Sequence, residues 1–225
     1  MPHVDIPTDG VELPGDLETT EGARGVVVFA HGSGSSRFSP RNQAVAGGLR
    51  QAGFATLLFD LLTAEEGEVD ARTRHLRFDV ELLARRLAGV TDWLADHEPT
   101  RELVPACFGA STGAAAALMA AAARPERVGA VIARGGRPDL AGSALPHVRC
   151  PTLLIVGGED HGVLRLNREA AERMSAPVTI EVVPGAGHLF EEPGALDRVT
   201  ELATDFLVQH LPPDPAIGGA RTPSW

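Results

Sequence analysis

A chain of 225 residues, 44% hydrophobic and 22% charged, is long enough for one α/β domain with a full core. Thirty acidic against twenty basic residues give a net charge of -10, a field that repels phosphate backbones and argues against nucleic acid as a partner. All twenty basic residues are arginine, which excludes Schiff-base lysine chemistry and the lysine-bearing phosphate loop.

The two cysteines, Cys107 and Cys150, cannot form a disulfide framework and lack the spacing of a zinc site. We therefore expect a reducing, cytoplasmic setting and no metal. The start, Met1-Pro2-His3-Val4-Asp5, has neither the basic residues nor the apolar core of a signal peptide. The longest apolar run, Ala114–Ala123, is too short to span a bilayer, so no membrane partner is expected.

In chain order, extended pieces near His3–Ile6 and Val11–Glu18 are broken by Asp9-Gly10 and Pro14-Gly15. They predict an opening hairpin or edge strands. Gly25–Ala30 is continuously apolar and β-branched, the pattern of a strand covered on both faces. Similar runs recur at Phe54–Phe59, Leu103–Phe108, Val128–Ala133, Thr152–Val156 and Val178–Val183.

Helical stretches separate these runs. Pro40–Gln51 is one, and a second carries Leu76, Val80, Leu83, Leu87, Val90 and Leu94 on a single stripe. The alanine-rich Thr112–Ala123, then Leu164–Met174 and Leu196–His210, complete the set. Alternation of this kind predicts an α/β fold: a mostly parallel, twisted sheet with right-handed crossovers and helices on both faces. Residues 1–211 read as one domain. Pro212-Pro213-Asp214-Pro215 and Gly218-Gly219 predict that residues 212–225 are an arm or disordered tail. Arg72, Arg74, Arg77, Arg85 and Arg86 read as a solvated helix face paired with Asp79 and Glu81.

Gly109-Ala110-Ser111-Thr112-Gly113 follows a buried strand and opens a helix, the setting that a G-x-S-x-G nucleophile elbow requires. A sharp strand-to-helix turn lifts the Ser111 hydroxyl to the helix N-terminus, where free amides and the helix dipole favour developing negative charge. A serine nucleophile needs a base, and the base needs an orienting acid, in the chain order Ser, acid, His. Of His147, His161, His188 and His210, only His188 lies in a glycine-rich loop directly after a strand, Pro184–His188. Asp160 is the expected acid, at the carboxyl edge of the Thr152–Val156 strand, with Asp139 as its competitor. The backbone amides of Thr112 and Ser33 are the expected oxyanion donors, with Gly34 next after Ser33. His31 reads as structural.

These segments resemble the α/β-hydrolase superfamily, and within it the dienelactone-hydrolase-like branch. The likeness covers residues 20–210 and rests on Phe29–Ser35, Phe108–Gly113, Arg134–Asp139, Val156–Asp160 and Pro184–His188. It implies a Ser111/Asp160/His188 ester hydrolase that needs no cofactor. Similar sequences also occur fused behind a phosphoribosyltransferase domain, which these residues are expected to lack. Dienelactone hydrolases proper carry cysteine at the elbow. Here that position is Ser111, and Cys107 reads as buried packing. Arg134 and Arg137 lie near the same sheet edge and could pair a substrate carboxylate, unless Asp139 or a neighbouring loop takes them. The eighteen residues or so between Ala133 and Thr152 leave no room for a helical lid, which suits small or short-acyl substrates. The expected activity is carboxylic-ester hydrolysis. Thioester cleavage, acyl transfer, lactone hydrolysis and non-catalytic ligand binding remain alternatives.

Overall fold

Five of the unbroken apolar runs form the buried middle of one eight-stranded sheet. The computed structural model describes residues 2–211, so the predicted tail at 212–225 lies outside the described residues. The strands are β1 (His3–Thr8), β2 (Val11–Glu18), β3 (Val26–Ala30), β4 (Ala55–Phe59), β5 (Pro105–Ala110), β6 (Ala130–Arg134), β7 (Thr152–Gly157) and β8 (Val178–Val183). Their spatial order is β1-β2-β4-β3-β5-β6-β7-β8. The β1–β2 hairpin runs antiparallel at one edge, and every pairing from β4 to β8 is parallel.

Six helices follow: α1 (Pro40–Gln51), α2 (Ala64–Thr73), α3 (Val80–Asp96), α4 (Thr112–Ala123), α5 (His161–Ala171) and α6 (Ala195–His210). Helices α1 and α6 pack together and bury Val45, Leu49, Val199 and Phe206 against one sheet face. Helices α3 and α4 close the other face with Leu83, Leu87, Val90 and the alanines of α4. Alanine suits that layer because short side chains let α4 lie close to the strands that end at the elbow. Between β6 and β7 the chain makes only 3₁₀ turns over Pro138–His147, and no large lid domain is inserted. No helix among the described residues is long and apolar enough to cross a membrane.

Several expectations need correction. The stripe from Leu76 to Leu94 is not one helix: Leu76–Phe78 is a 3₁₀ turn, and Asp79 caps a new helix through the Leu82 amide at 3.0 Å. Helix α2 was not foreseen. Helix α5 begins three residues early because Asp160 caps it through the Val163 amide. Strand β8 is a partly exposed edge rather than a covered strand.

Arg72, Arg74 and Arg85 are exposed as a solvated face would be, but Arg77 and Arg86 turn inward and the pairing is not with Asp79 and Glu81. Arg86 is 2% exposed, and its two terminal nitrogens each donate to Glu66 at 2.6 Å. One of them also donates to the Leu61 carbonyl at 2.7 Å. Arg77 pairs with Asp70 and Arg85 with Asp9. Glu66 serves twice, since it also closes the capping box of α2 with Thr63.

The Arg86 guanidinium is the main influence holding the Glu66 carboxyl below its ordinary value of 4.5. A depressed carboxylate stabilises the fold above its unfolded pKa, and that contribution fades as pH falls through the folded one. Glu66→Gln should therefore cost about 2–3 kcal/mol at neutral pH, less than a fully buried pair because Glu66 is partly exposed. In urea titrations the gap between variant and parent should narrow below pH 4.5. A gap that stays constant into acid would show that the charge pairing is not its source.

Candidate active site

Strand β5 continues through Gly109 and Ala110, which pair with Ala133 and Arg134 of β6. The chain then turns at Ser111, the residue before α4, with φ 50° and ψ -118°. Such a conformation costs a residue with a Cβ roughly 1–3 kcal/mol and persists only where its surroundings impose it. Here the Ser111 amide donates to the Arg134 carbonyl at 3.3 Å, and the Ser111 carbonyl accepts from the amides of Ala114 (3.1 Å) and Arg137 (3.0 Å).

Two glycines make the turn possible. A Cβ on Gly113 would stand 2.2 Å from the Ala30 carbonyl oxygen, and one on Gly109 would stand 2.4 Å from the Ala114 Cα. Gly32, in the loop after β3, lies against the elbow: its missing Cβ would be 3.2 Å from that of Ser111.

His188 Nδ1 bonds Asp160 Oδ2 at 2.6 Å, while the other Asp160 oxygen accepts from Val163. The imidazole is 39% exposed and the carboxylate 17%. Gly157 permits this meeting, because a Cβ there would lie 2.4 Å from the Ala186 carbonyl of the histidine loop. The loop then passes Gly135, the residue after Arg134, whose absent Cβ would be 3.5 Å from His188 Nδ1. Ser111, Asp160 and His188 thus lie at one carboxyl edge of the sheet, after β5, β7 and β8. Asp139 is taken by Arg137 through two bonds of 2.8 Å. His147 is exposed, His161 is exposed at the start of α5 beside Asp160, and His210 packs on Phe206.

His31 is buried. Its Nδ1–H donates to the Gly32 carbonyl at 3.0 Å, and Nε2 accepts from the Leu61 amide at 3.2 Å. Burial lowers its pKa, against weaker opposing influences from Gly32 and Asp60, and the neutral ring ties the β3 loop to the β4 loop. Among the described residues the amides of Ser33 and Thr112 have no hydrogen-bond partner. Thr112 is the first residue of α4, where an amide has no acceptor within the helix. Gly34, with φ +72°, sits in a turn closed by Ser35 N–H donating to Gly32 O.

For Arg134 and Arg137 the structure favours the alternative the sequence left open, a partner within the protein. Arg137 is held by Asp139. Arg134 belongs to β6, is 8% exposed, and donates to Asn42 at 3.3 Å. Burial and the nearby Arg41 push its pKa down to about 10. Cys107 is wholly buried, and burial drives its thiol far above the ordinary range, so it is no nucleophile.

A cavity of about 490 Å³ opens beside the elbow, reaching it through Gly32, Ser33 and Thr112. Its far wall is the segment Asp60–Ala64, with Arg37, Asp70 and Arg77 at its sides. None of these wall residues was singled out as part of a site from the sequence. An aspartate directly after a buried strand, Phe59-Asp60, was the available signal.

The dienelactone hydrolase family profile matches residues 15–208. The chain belongs to the dienelactone hydrolase family. It is 57% identical to a dienelactone hydrolase of Anabaena variabilis of known crystal structure, at a TM-score of 0.91, over 93% of this chain and 97% of that one. Est1E of Butyrivibrio proteoclasticus, 16% identical, shares the fold at a TM-score of 0.76 over 92% of this chain and 98% of its own. A protein of Mycobacterium tuberculosis (strain ATCC 25618 / H37Rv) that carries a provisional phosphoribosyl transferase name is 55% identical over 209 residues, 93% of this chain. The chain spans about half the length of that relative, 46%. Family membership gives the chain the α/β-hydrolase fold, and Ser111 stands at its turn between β5 and α4.

The close backbone approach at Gly113 is the tightest constraint on this hydrolase's elbow. Gly113→Ala should destabilise the protein by about 1–3 kcal/mol, as overpacking does. It should also lower hydrolase activity in the fraction that remains folded. Thermal melting and activity together check this, and a variant unchanged in both would show that the elbow tolerates displacement from β3.

Proposed function

We propose that this hydrolase cleaves small carboxylic esters through Ser111, His188 and Asp160, by way of an acyl-enzyme. The observation that supports this best is the 2.6 Å bond between His188 Nδ1 and Asp160, on a loop lying against the turn that follows Arg134. That bond fixes the tautomer and leaves Nε2 as the basic nitrogen.

Ser111 attacks the acyl carbonyl while His188 takes its proton. The amides of Ser33 and Thr112 stabilise the oxyanion, and His188 then protonates the departing alkoxide. Water, deprotonated by the same imidazole, releases the acid. Asp160 stays ionised and offsets the imidazolium charge. No cofactor takes part, and the partner is a small neutral ester rather than nucleic acid or membrane. The two free, buried thiols suit a cytoplasmic setting. Phosphoribosyl transfer forms no part of this reading, because the elbow and its acid–base pair supply acyl-transfer chemistry.

With a short-chain 4-nitrophenyl ester, Ser111→Ala should lower kcat by roughly 10⁴ to 10⁶. A fluorophosphonate should label the parent at Ser111 and leave the variant unmodified. Parent enzyme that resists the reagent and turns over no ester would identify a binding protein on a hydrolase fold.

A further inference from the structure

We infer that the cavity beside the elbow is the acyl pocket, and that Asp60 and Asp70 make it select uncharged acyl groups by neutralising Arg37 and Arg77. This rests on the esterase reading above and specifies its substrate class.

The assignment to the acyl side follows from position. The leaving group must sit at His188 to receive its proton, and His188 does not line the cavity. Ser33 and Thr112, whose free amides would hold the oxyanion, do line it. The remaining substituent of the tetrahedral centre, the acyl chain, then points into the cavity. Its volume, about 490 Å³, falls within the roughly 300–1,000 Å³ of small-ligand sites, and Leu61, Leu62, Leu83 and Pro14 give it an apolar surface.

Four charged side chains line it, two arginines and two aspartates, so the lining carries no net charge beyond a neutral His31. The pairing is tight in both cases. Arg77 Nε donates to Asp70 Oδ2 at 2.5 Å, the Arg77 amide donates to Oδ1 at 3.1 Å, and Arg77 Nη2 donates to the Asp70 carbonyl at 3.2 Å. Burial alone would raise the Asp70 carboxyl, yet Arg77 and two amides outweigh it and hold the group ionised below its ordinary value. Arg37 is held by Asp60, both through its guanidinium and through its backbone amide at 2.7 Å, with Asp16 a further 3.4 Å from Nε. An acyl chain ending in a carboxylate would enter a low-dielectric cavity without a free cation to meet it, beside two carboxylates.

Two esters of equal reach decide the matter: 4-nitrophenyl hexanoate and the mono-4-nitrophenyl ester of adipic acid. Wild-type kcat/KM should favour hexanoate by at least about 100-fold, the scale set by an unpaired buried charge. Asp70→Asn leaves Arg77 uncompensated and should shrink that ratio about tenfold or more. Asp70→Asn combined with Arg77→Gln should restore the preference. Because each result is a ratio of two substrates on one protein, a general loss of activity cancels. Asp60→Asn provides the same test through Arg37 if the Asp70 variant does not fold. Wild-type turnover of the two esters within threefold, or an unchanged ratio in folded Asp70→Asn and Asp60→Asn, overturns the pocket assignment and leaves the esterase reading standing. Turnover of neither ester, with Ser111 unlabelled by fluorophosphonate, ends both.

Discussion

The backbone at Ser111 sits where a residue with a side chain is strained, and the rest of the molecule is arranged to keep it there. Strand β5 holds one side of the turn by pairing with β6 up to Ala110, and α4 holds the other by starting at once. Neither could do so if the neighbouring backbones stood further away. Gly109 and Gly113 let strand and helix approach within distances that a methyl group would forbid, and Gly32 lets the β3 loop lie close against them. The strain is thus maintained by the packing of a covered parallel sheet, the part of an α/β fold least able to relax.

Charge in this protein is organised on the same principle of local closure. It has arginine but no lysine, and the planar guanidinium suits paired, partly buried sites better than an ammonium would. Arg86 ties the Leu61–Glu66 segment to α3, and that segment is the far wall of the cavity beside the elbow. His31 ties the same wall to the β3 loop while remaining neutral. One buried cation and one buried neutral ring therefore set the spacing between the loop that carries the Ser33 amide and the wall opposite it.

Much of this was legible in the sequence, for identifiable reasons. A strand covered on both faces must be continuously apolar, so the five central strands announce themselves. The elbow and the Gly157 turn announce themselves because no other residue fits where backbones nearly touch. Helix α2 was invisible because its one buried residue is Asp70, and a helix that faces the protein with an aspartate leaves no apolar stripe. Arg86 was misread for the complementary reason: a charged residue beside Leu83, Leu87 and Val90 looks like solvent, yet Glu66 draws it inside. Arg134 lies at the sheet edge as expected, yet β6 extends through it and its guanidinium is buried beside Asn42.

The two halves of the candidate site come from opposite halves of the sheet. Asp160 and His188 belong to the loops after β7 and β8, while the cavity is built from the loops after β3 and β4, with β5 and its serine between them. On the proposed reading, a proton-transfer pair and an acyl pocket so separated share only the elbow. Substitutions in the Asp60–Arg77 region would on that reading change which acyl group is held while Gly157, Asp160 and the histidine loop keep their geometry. The constraint is asymmetric. The base side depends on backbone contact at Gly157 and Gly135 and has little freedom, whereas the acyl side is bounded by side-chain pairs whose charge can change without moving a strand. In a fold whose elbow must stay strained, specificity has room to vary only where side chains, and not backbones, form the wall.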